Sequence, residues 1–384
     1  MILISILFYS YIVCILAFII GYHKVNVFKS TTTSNKTAFT VIIPFRNEAK
    51  NLSKLLDSIQ QLKYSKNLVE FLFVDDDSTD NSIEIINFYF ERNREASHLG
   101  LNSARPDIRV LSNKRVSNSP KKDAITTALK DAKNNWIITT DADCILPKNW
   151  LKTIDAFIQQ NNCNMIVAPV SYEANSTFLH QFQHLEFLSL QATTISSFGL
   201  RTPFLANGAN LMYRKDIFEK LNGFDGNNAI ASGDDIFLLE KFLRFYKEKV
   251  QYLKSKDVIV KTFPVNSFPE LIEQRIRWAS KTANYNLVVG KIIGVIVLAG
   301  NTIIAFAPLF VLLKIMNFKT FIFYFLLKLL FDYLLLKKMA LFENKKIDFK
   351  AYLKSSFVYP YFTILIFLKS IFSNYQWKER TFKK

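Results

Sequence analysis

Acidic side chains gather at three places along a chain of 384 residues. Asp75, Asp76, Asp77 and Asp80 put four carboxylates within six positions. Carboxylates so close repel one another and stay ionised together only beside cations, helix N-terminal amides or other donors. Ligand contact and capping of a helix starting at Ser82 are both open to them. Asp141 and Asp143, with Ala142 between, can address one divalent cation. Mg2+ and Mn2+ prefer oxygen ligands and bridge protein carboxylates to substrate phosphates. The plainer reading of such a triplet is a solvated turn. Asp234 and Asp235 follow Gly233. Adjacent carboxylates can have one proton affinity raised, which suits a general base; helix capping is the alternative. Gln274, Arg277 and Trp278 stand at i, i+3 and i+4 and so share one helix face. Arg offers donors to phosphate oxygens, and Trp offers a flat apolar face to a sugar ring. Alternatively they lie at headgroup level on a membrane-surface helix.

Elements of α/β type flank these groups. Phe39–Pro44, Val69–Val74, Ile108–Leu111 and Trp136–Thr140 read as short apolar strands. Helical spacing marks Glu48–Tyr64, Ser82–Phe90, Asp123–Lys133 and Ile236–Phe245. The alternation predicts a mostly parallel sheet with helices on both faces. Ligands of such sheets bind outside the carboxyl ends of the strands, where the acidic groups fall.

Half of the residues are hydrophobic, 36 are Phe, and 49 basic against 32 acidic side chains give a net charge of +17. That composition excludes a disordered acidic chain and an ordinary cytosolic enzyme. Residues 286–384 hold 15 basic and 4 acidic residues, so the excess lies in the most apolar quarter. The pattern points to an anionic membrane face rather than nucleic acid. Three Cys and four scattered His make neither a disulfide framework nor a histidine metal site. Residues 1–22 carry no charge and read as an uncleaved transmembrane anchor, with 23–37 as a linker. Residues 38–267 form the α/β domain and 268–286 an amphipathic interfacial helix. The C-terminal membrane region, 287–384, has spans expected near 292–313 and 320–336, where Lys328 and Asp332 can pair at i, i+4. A further segment, 355–372, contains Pro360 and is either a span or interfacial. Lys337, Lys338, Lys345, Lys346 and Lys350 mark a cytoplasmic loop by the positive-inside tendency. The expected location is therefore a multi-pass membrane protein with a cytoplasmic catalytic domain, as in a bacterial inner membrane.

Taken in order, Val-Ile-Ile-Pro-Phe-Arg-Asn-Glu (41–48), Val-Asp-Asp-Asp-Ser-Thr-Asp (74–80), Lys-Lys-Asp-Ala-Ile (121–125), Thr-Asp-Ala-Asp (140–143), Asn-Gly-Ala-Asn (207–210), Gly-Asp-Asp (233–235) and Gln-Arg-Ile-Arg-Trp (274–278) form a specific set. The sequence resembles the membrane-bound family 2 glycosyltransferases, which include cellulose, hyaluronan and poly-N-acetylglucosamine synthases and ceramide glucosyltransferase. The resemblance implies a Rossmann-like GT-A fold and an inverting transfer from a nucleotide sugar, usually a UDP-sugar, with Mg2+ or Mn2+ as cofactor. It implies that Pro44, Arg46, Glu48, Asp75, Asp76, Lys121 and Asp141 bind the nucleotide sugar, and that Asp141 and Asp143 hold the metal. Asp235 would be the base, beside Asp234; Asn207, Gly208, Gln274, Arg275, Arg277 and Trp278 would serve the acceptor and diphosphate.

Three departures stand out. Asp77 occupies a usual Gly position and adds charge, Asp234 replaces a usual Glu, and the C-terminal membrane part is short for a polysaccharide channel. The acceptor expected is a hydroxyl of a lipid, a glycan or another membrane-associated molecule. A processive polysaccharide synthase is the alternative, and a non-catalytic nucleotide-sugar-binding scaffold is the alternative from another class.

Overall fold

The computed structural model describes residues 1–30, 35–98, 107–227, 233–280, 286–372, 375–377 and 380–382. The chain begins with α1 (Ile2–Lys24), β1 (Phe39–Phe45), α2 (Ala49–Gln60), β2 (Val69–Asp75), α3 (Ser82–His98) and β3 (Asp107–Ser112). Next come α4 (Pro120–Asp131), β4 (Trp136–Thr139), α5 (Trp150–Gln160), β5 (Met165–Val167), β6 (Val170–Tyr172) and α6 (Phe178–Gly199). After β7 (Leu211–Arg214) follow α7 (Lys215–Lys220), α8 (Asp234–Tyr246), β8 (Val250–Tyr252) and β9 (Val260–Thr262). The last elements are α9 (Phe268–Ser280), α10 (Val288–Leu312), α11 (Phe318–Phe342), α12 (Phe349–Phe372), β10 (Tyr375–Trp377) and β11 (Arg380–Phe382).

Two compact units result. The α/β unit comprises 27–171 and 206–263; the helical unit comprises 1–26, 172–205 and 264–384. The α/β unit is thus discontinuous, where an unbroken 38–267 was expected, because residues 172–205 cluster with the helices.

In the α/β unit, seven strands form one sheet in the order β3-β2-β1-β4-β7-β5-β8. β1 lies parallel to β2 and to β4, with Pro44 opposite Val74 and Ile42 opposite Thr139. The carboxyl ends of the three strands therefore share an edge, and strand order reverses between β1 and β4, where ligands of open α/β sheets bind. β7 is antiparallel to β4 and β5, so the sheet is mostly parallel as predicted. Phe39, Ile42, Ile43, Phe71 and Phe73 are fully buried in these strands, which read as apolar runs because both faces are covered. Leu52, Leu55, Leu56 and Ile59 put one apolar stripe of α2 into this core.

In the helical unit, α1 and α6 touch at glycine. A Cβ on Gly199 would stand 1.9 Å from the Gly21 carbonyl oxygen. Gly199→Val is expected to destabilise the helical unit by about 1–3 kcal/mol or more, the usual cost of overpacking, because backbone on both sides cannot yield. A thermal-unfolding scan in detergent checks this; an unchanged midpoint contradicts the close approach.

α1, α10 and α12 are long and apolar enough to cross a membrane. This revises the expected ranking. The segment at 355–372 belongs to a 24-residue helix that begins at Phe349 and runs through Pro360. α11 is longer than the 320–336 expected, and its interior carries Lys328 and Asp332. Those two side chains pair as the i, i+4 spacing predicted. Tyr11 of α1 donates to Asp332 at 2.6 Å, and Lys328 donates to the Tyr11 hydroxyl at 3.1 Å. A charge pair inside an apolar helix is tolerable when its hydrogen bonds are satisfied in this way.

Candidate active site

The carboxylates after β2 divide their work. Asp75 accepts the Ser78 amide at 3.1 Å and closes the turn. Asp80 accepts the Ala49 amide at 3.0 Å and the Ser82 amide at 3.1 Å, so it joins the starts of α2 and α3. Asp76 is buried and accepts Asn113 Nδ2 at 2.6 Å, with the Arg115 guanidinium at 3.5 Å. Asp77 has φ of 65°, the left-handed region that explains why glycine suits this place. Its side chain is 85% exposed, and its Oδ2 accepts from Arg46 Nη1 at 3.3 Å. Arg46 donates to the carbonyls of Asp76 and Asp77 and thereby braces the turn. Pro44 lies in β1, and Glu48 precedes α2, accepting from Asn51 at 2.7 Å.

Lys121, in the first turn of α4, joins two of the acidic groups. Its ammonium lies 2.7 Å from Asp141 and 3.4 Å from Asp234. Burial pulls its proton affinity down, but Asp141, Asp234 and Asp235 outweigh burial and hold it well above the usual lysine value. Asp235 opens α8 beside Asp234. Its Oδ2 accepts the Gly208 amide at 3.3 Å and its Oδ1 accepts the Ile236 amide at 2.8 Å. The helix cap is Gly233, at φ of 86°, so neither aspartate is the capping residue. Asn207 accepts the Ala209 amide at 3.0 Å and shapes the Gly208–Asn210 turn.

Gly208 leaves the room in which the ion pair meets. A Cβ there would lie 2.8 Å from Asp234 Oδ2 and 3.0 Å from Lys121 Nζ. Both are tips of flexible side chains. Gly208→Ala is therefore expected to fold normally while displacing the pair, with turnover down about tenfold, the rate equivalent of a 1.4 kcal/mol disturbance. Turnover and the unfolding midpoint are the measurements; full activity contradicts this role for Gly208.

Asp143 Oδ2 accepts the Thr262 hydroxyl at 3.1 Å. Asp141 and Asp143 are both partly exposed at the end of β4. Carboxylates joined by phosphate oxygens and water are the donor set that Mg2+ or Mn2+ takes. Among the described residues no group of three or more His, Cys, Asp or Glu could hold a metal by itself, so such a cation would need oxygens from a substrate. The adjacent Cys144 thiol is pushed up by burial and by Asp143 and Asp141, which keeps it protonated.

Gln274, Arg275, Arg277 and Trp278 lie on α9, in the helical unit. Arg275 is buried and binds Glu186 of α6 through Nε at 2.9 Å and Nη2 at 2.8 Å. It also donates to Gln274, and its guanidinium carbon lies 4.2 Å from the centre of the Trp278 ring. Arg275 was expected to serve the acceptor and diphosphate; here its guanidinium pairs with Glu186. Arg277 is half-buried on the same helix.

Four functional partners escaped sequence reasoning: Asn113, Arg115, Glu186 and Thr262. Asn113 and Arg115 follow β3, and the rule that ligands gather at carboxyl ends of strands could have found them. No local signal marks Glu186 or Thr262.

The family model for glycosyl transferase family 2 matches residues 40–222, and that for glycosyl transferase family group 2 matches residues 136–368. Over 130 residues the chain is 29% identical to the poly(ribitol-phosphate) beta-N-acetylglucosaminyltransferase TarS of Staphylococcus aureus, covering 34% of this chain and 20% of TarS. Over 276 residues it is 22% identical to a probable glycosyltransferase of Sulfolobus acidocaldarius, covering 65% and 55%. The chain thus spans between a fifth and just over half the length of these curated relatives. The solved mannosyltransferase PcManGT from Pyrobaculum calidifontis, in complex with GDP-Man and Mn2+, superposes with a TM-score of 0.58 over 97% of both chains at 14% identity, a likeness of fold.

Proposed function

The chain belongs to the family 2 glycosyltransferases, with a GT-A fold, and from that premise we propose that it moves a sugar from a nucleotide sugar to a hydroxyl of a membrane-associated acceptor, most simply a lipid, with inversion at the anomeric carbon. One observation carries the reading: Lys121 bridges Asp141 at the end of β4 to Asp234 at the start of α8, which joins a metal-competent pair to a base-competent pair.

Asp76 and Glu48 hold the nucleoside, and Asn113 and Arg115 fix the Asp76 carboxylate. Asp141 and Asp143 would hold Mg2+ or Mn2+. That cation, when bound, neutralises charge gathering on the departing diphosphate. Lys121 adds a fixed positive charge between the two carboxylates. The acceptor hydroxyl is a weak nucleophile at neutral pH. Asp235 takes its proton as the oxygen attacks the anomeric carbon from the side opposite the diphosphate. Asn207 and Gly208 shape the sugar pocket.

Apolar side chains exposed along α1, α10 and α12, among them Leu3, Val13, Ile292, Val295, Phe357 and Phe367, support membrane insertion. The lysines at 337, 338, 345, 346 and 350 favour a cytoplasmic catalytic unit. A UDP-hexose is the expected donor; the relative TarS is named for N-acetylglucosaminyl transfer, whereas PcManGT holds GDP-Man. The Gln-Arg-Ile-Arg-Trp pattern at 274–278 favours a second reading, processive polymer synthesis. A donor panel on native membranes separates the readings. Released nucleotide with one sugar per extracted lipid supports the first; an extraction-resistant polymer supports the second. No release from any UDP-, GDP- or dTDP-sugar contradicts both.

A further inference from the structure

Lys122, the neighbour of Lys121, plays no part in the site so far described, yet it is 1% exposed. A buried ammonium is costly unless its hydrogen bonds are made, and in the first turn of α4 it also opposes the positive end of the helix. An apolar side chain of equal length would carry neither cost, so the charge must be used. Its Nζ donates to the Asn227 carbonyl at 2.7 Å and lies 4.9 Å from the centre of the buried Phe237 ring. Asn227 precedes Gly233-Asp234-Asp235 in the chain, and Phe237 follows them by two residues.

We propose that Lys122 is a positioning residue for sugar transfer: by holding Asn227 and Phe237 together it fixes the first turn of α8 and with it the Asp235 carboxylate. Successive residues of a helix point about 100° apart, so Lys121 and Lys122 reach α8 from different directions. Lys121 grips the acid of α8, and Lys122 grips its ring and the Asn227 carbonyl. The left-handed Gly233 between these anchors lacks a side chain of its own to restrain the turn. A cation above an aromatic face and a short bond to a carbonyl supply that restraint. A base displaced by about 1 Å can cost about 10²-fold in rate.

The role rests on the reading of Asp235 as base, so the test has one arm that needs no turnover. Lys122→Met keeps the length of the side chain and removes the ammonium. In hydrogen exchange on the full-length detergent-solubilised protein, amides of residues 236–239 should exchange at least tenfold faster in the variant, with β1 and β2 unchanged. In kinetics with the donor found active on membranes, kcat should fall about 10- to 100-fold. The donor KM, and the Kd for UDP or GDP with Mn2+, should stay within about twofold. Lys122→Arg, which restores a cation and donors, should recover most of kcat. Unchanged exchange at 236–239 overturns the proposal, as does a Met variant with at least half the wild-type kcat. Should Lys122→Met fail to fold, Phe237→Leu is the second variant. It removes the ring face and is expected to lower kcat about fivefold at constant KM; unaltered kcat there also overturns the proposal. Accelerated exchange in a protein inactive toward every nucleotide sugar would leave the positioning intact and remove the glycosyl-transfer reading instead.

Discussion

Asp235→Asn is expected to lower turnover by about 10²–10⁴-fold while nucleotide binding persists, the range a positioned general base supplies. The substitution is nearly isosteric. An amide oxygen can still accept the Gly208 or Ile236 amide that Asp235 holds now, so the start of α8 should keep its shape. What disappears is the carboxylate basicity that takes the acceptor proton. Lys121 keeps Asp141 and Asp234 as partners, so its own position should not change. Initial rates of nucleotide release with purified protein, beside calorimetric titration with the nucleotide diphosphate, measure both halves. Near wild-type turnover removes Asp235 from the role of base. Loss of binding together with turnover indicates a structural role instead.

Removal of divalent ions is expected to have the next largest effect, about 10²–10³-fold on turnover, since charge stabilisation by a bound cation is worth several kcal/mol and 1.36 kcal/mol is tenfold. Asp143→Asn should reproduce it. The Thr262 hydroxyl can still donate to the amide oxygen, as it donates to Asp143 now, so the fold should survive. Excess chelator followed by added Mn2+ should give loss and recovery in the wild type and little of either in the variant. Unchanged rates in excess chelator contradict the metal role of Asp141 and Asp143.

The parts of the fold that sequence displays are those where one local rule decides. β1, β2 and β4 are buried on both faces and read as apolar runs, and β2 and β4 run on into acids. β5, β8 and β9 have three residues each, too few for any period to show. α6 was not anticipated because polar side chains such as Gln183, His184 and Gln191 are buried around it alongside apolar ones, so no stripe marks a single face. Packing against α1 decides it, and the Gly21–Gly199 approach joins positions far apart in the chain.

The site divides the same way. Lys121 was expected among the nucleotide-sugar ligands; its bridge between two aspartates that lie 93 residues apart in the chain was not legible in the motif. Asp77 was expected to add charge at a usual Gly position, and here its backbone is left-handed and its carboxylate lies 3.3 Å from Arg46. Arg275 shares its motif with Arg277, yet Glu186, 89 residues away, claims it. Motif spacing identifies which residue types meet a substrate; which of them spend their hydrogen bonds on one another depends on long-range partners.

The most direct test is a structure of Asp235→Asn bound to the active nucleotide sugar and Mn2+. The expected result is one continuous ligand, with its base at Asp76, its diphosphate and cation at Asp141 and Asp143, and its anomeric carbon facing residue 235. A nucleotide bound away from Asp76, or a sugar turned away from residue 235, contradicts the account.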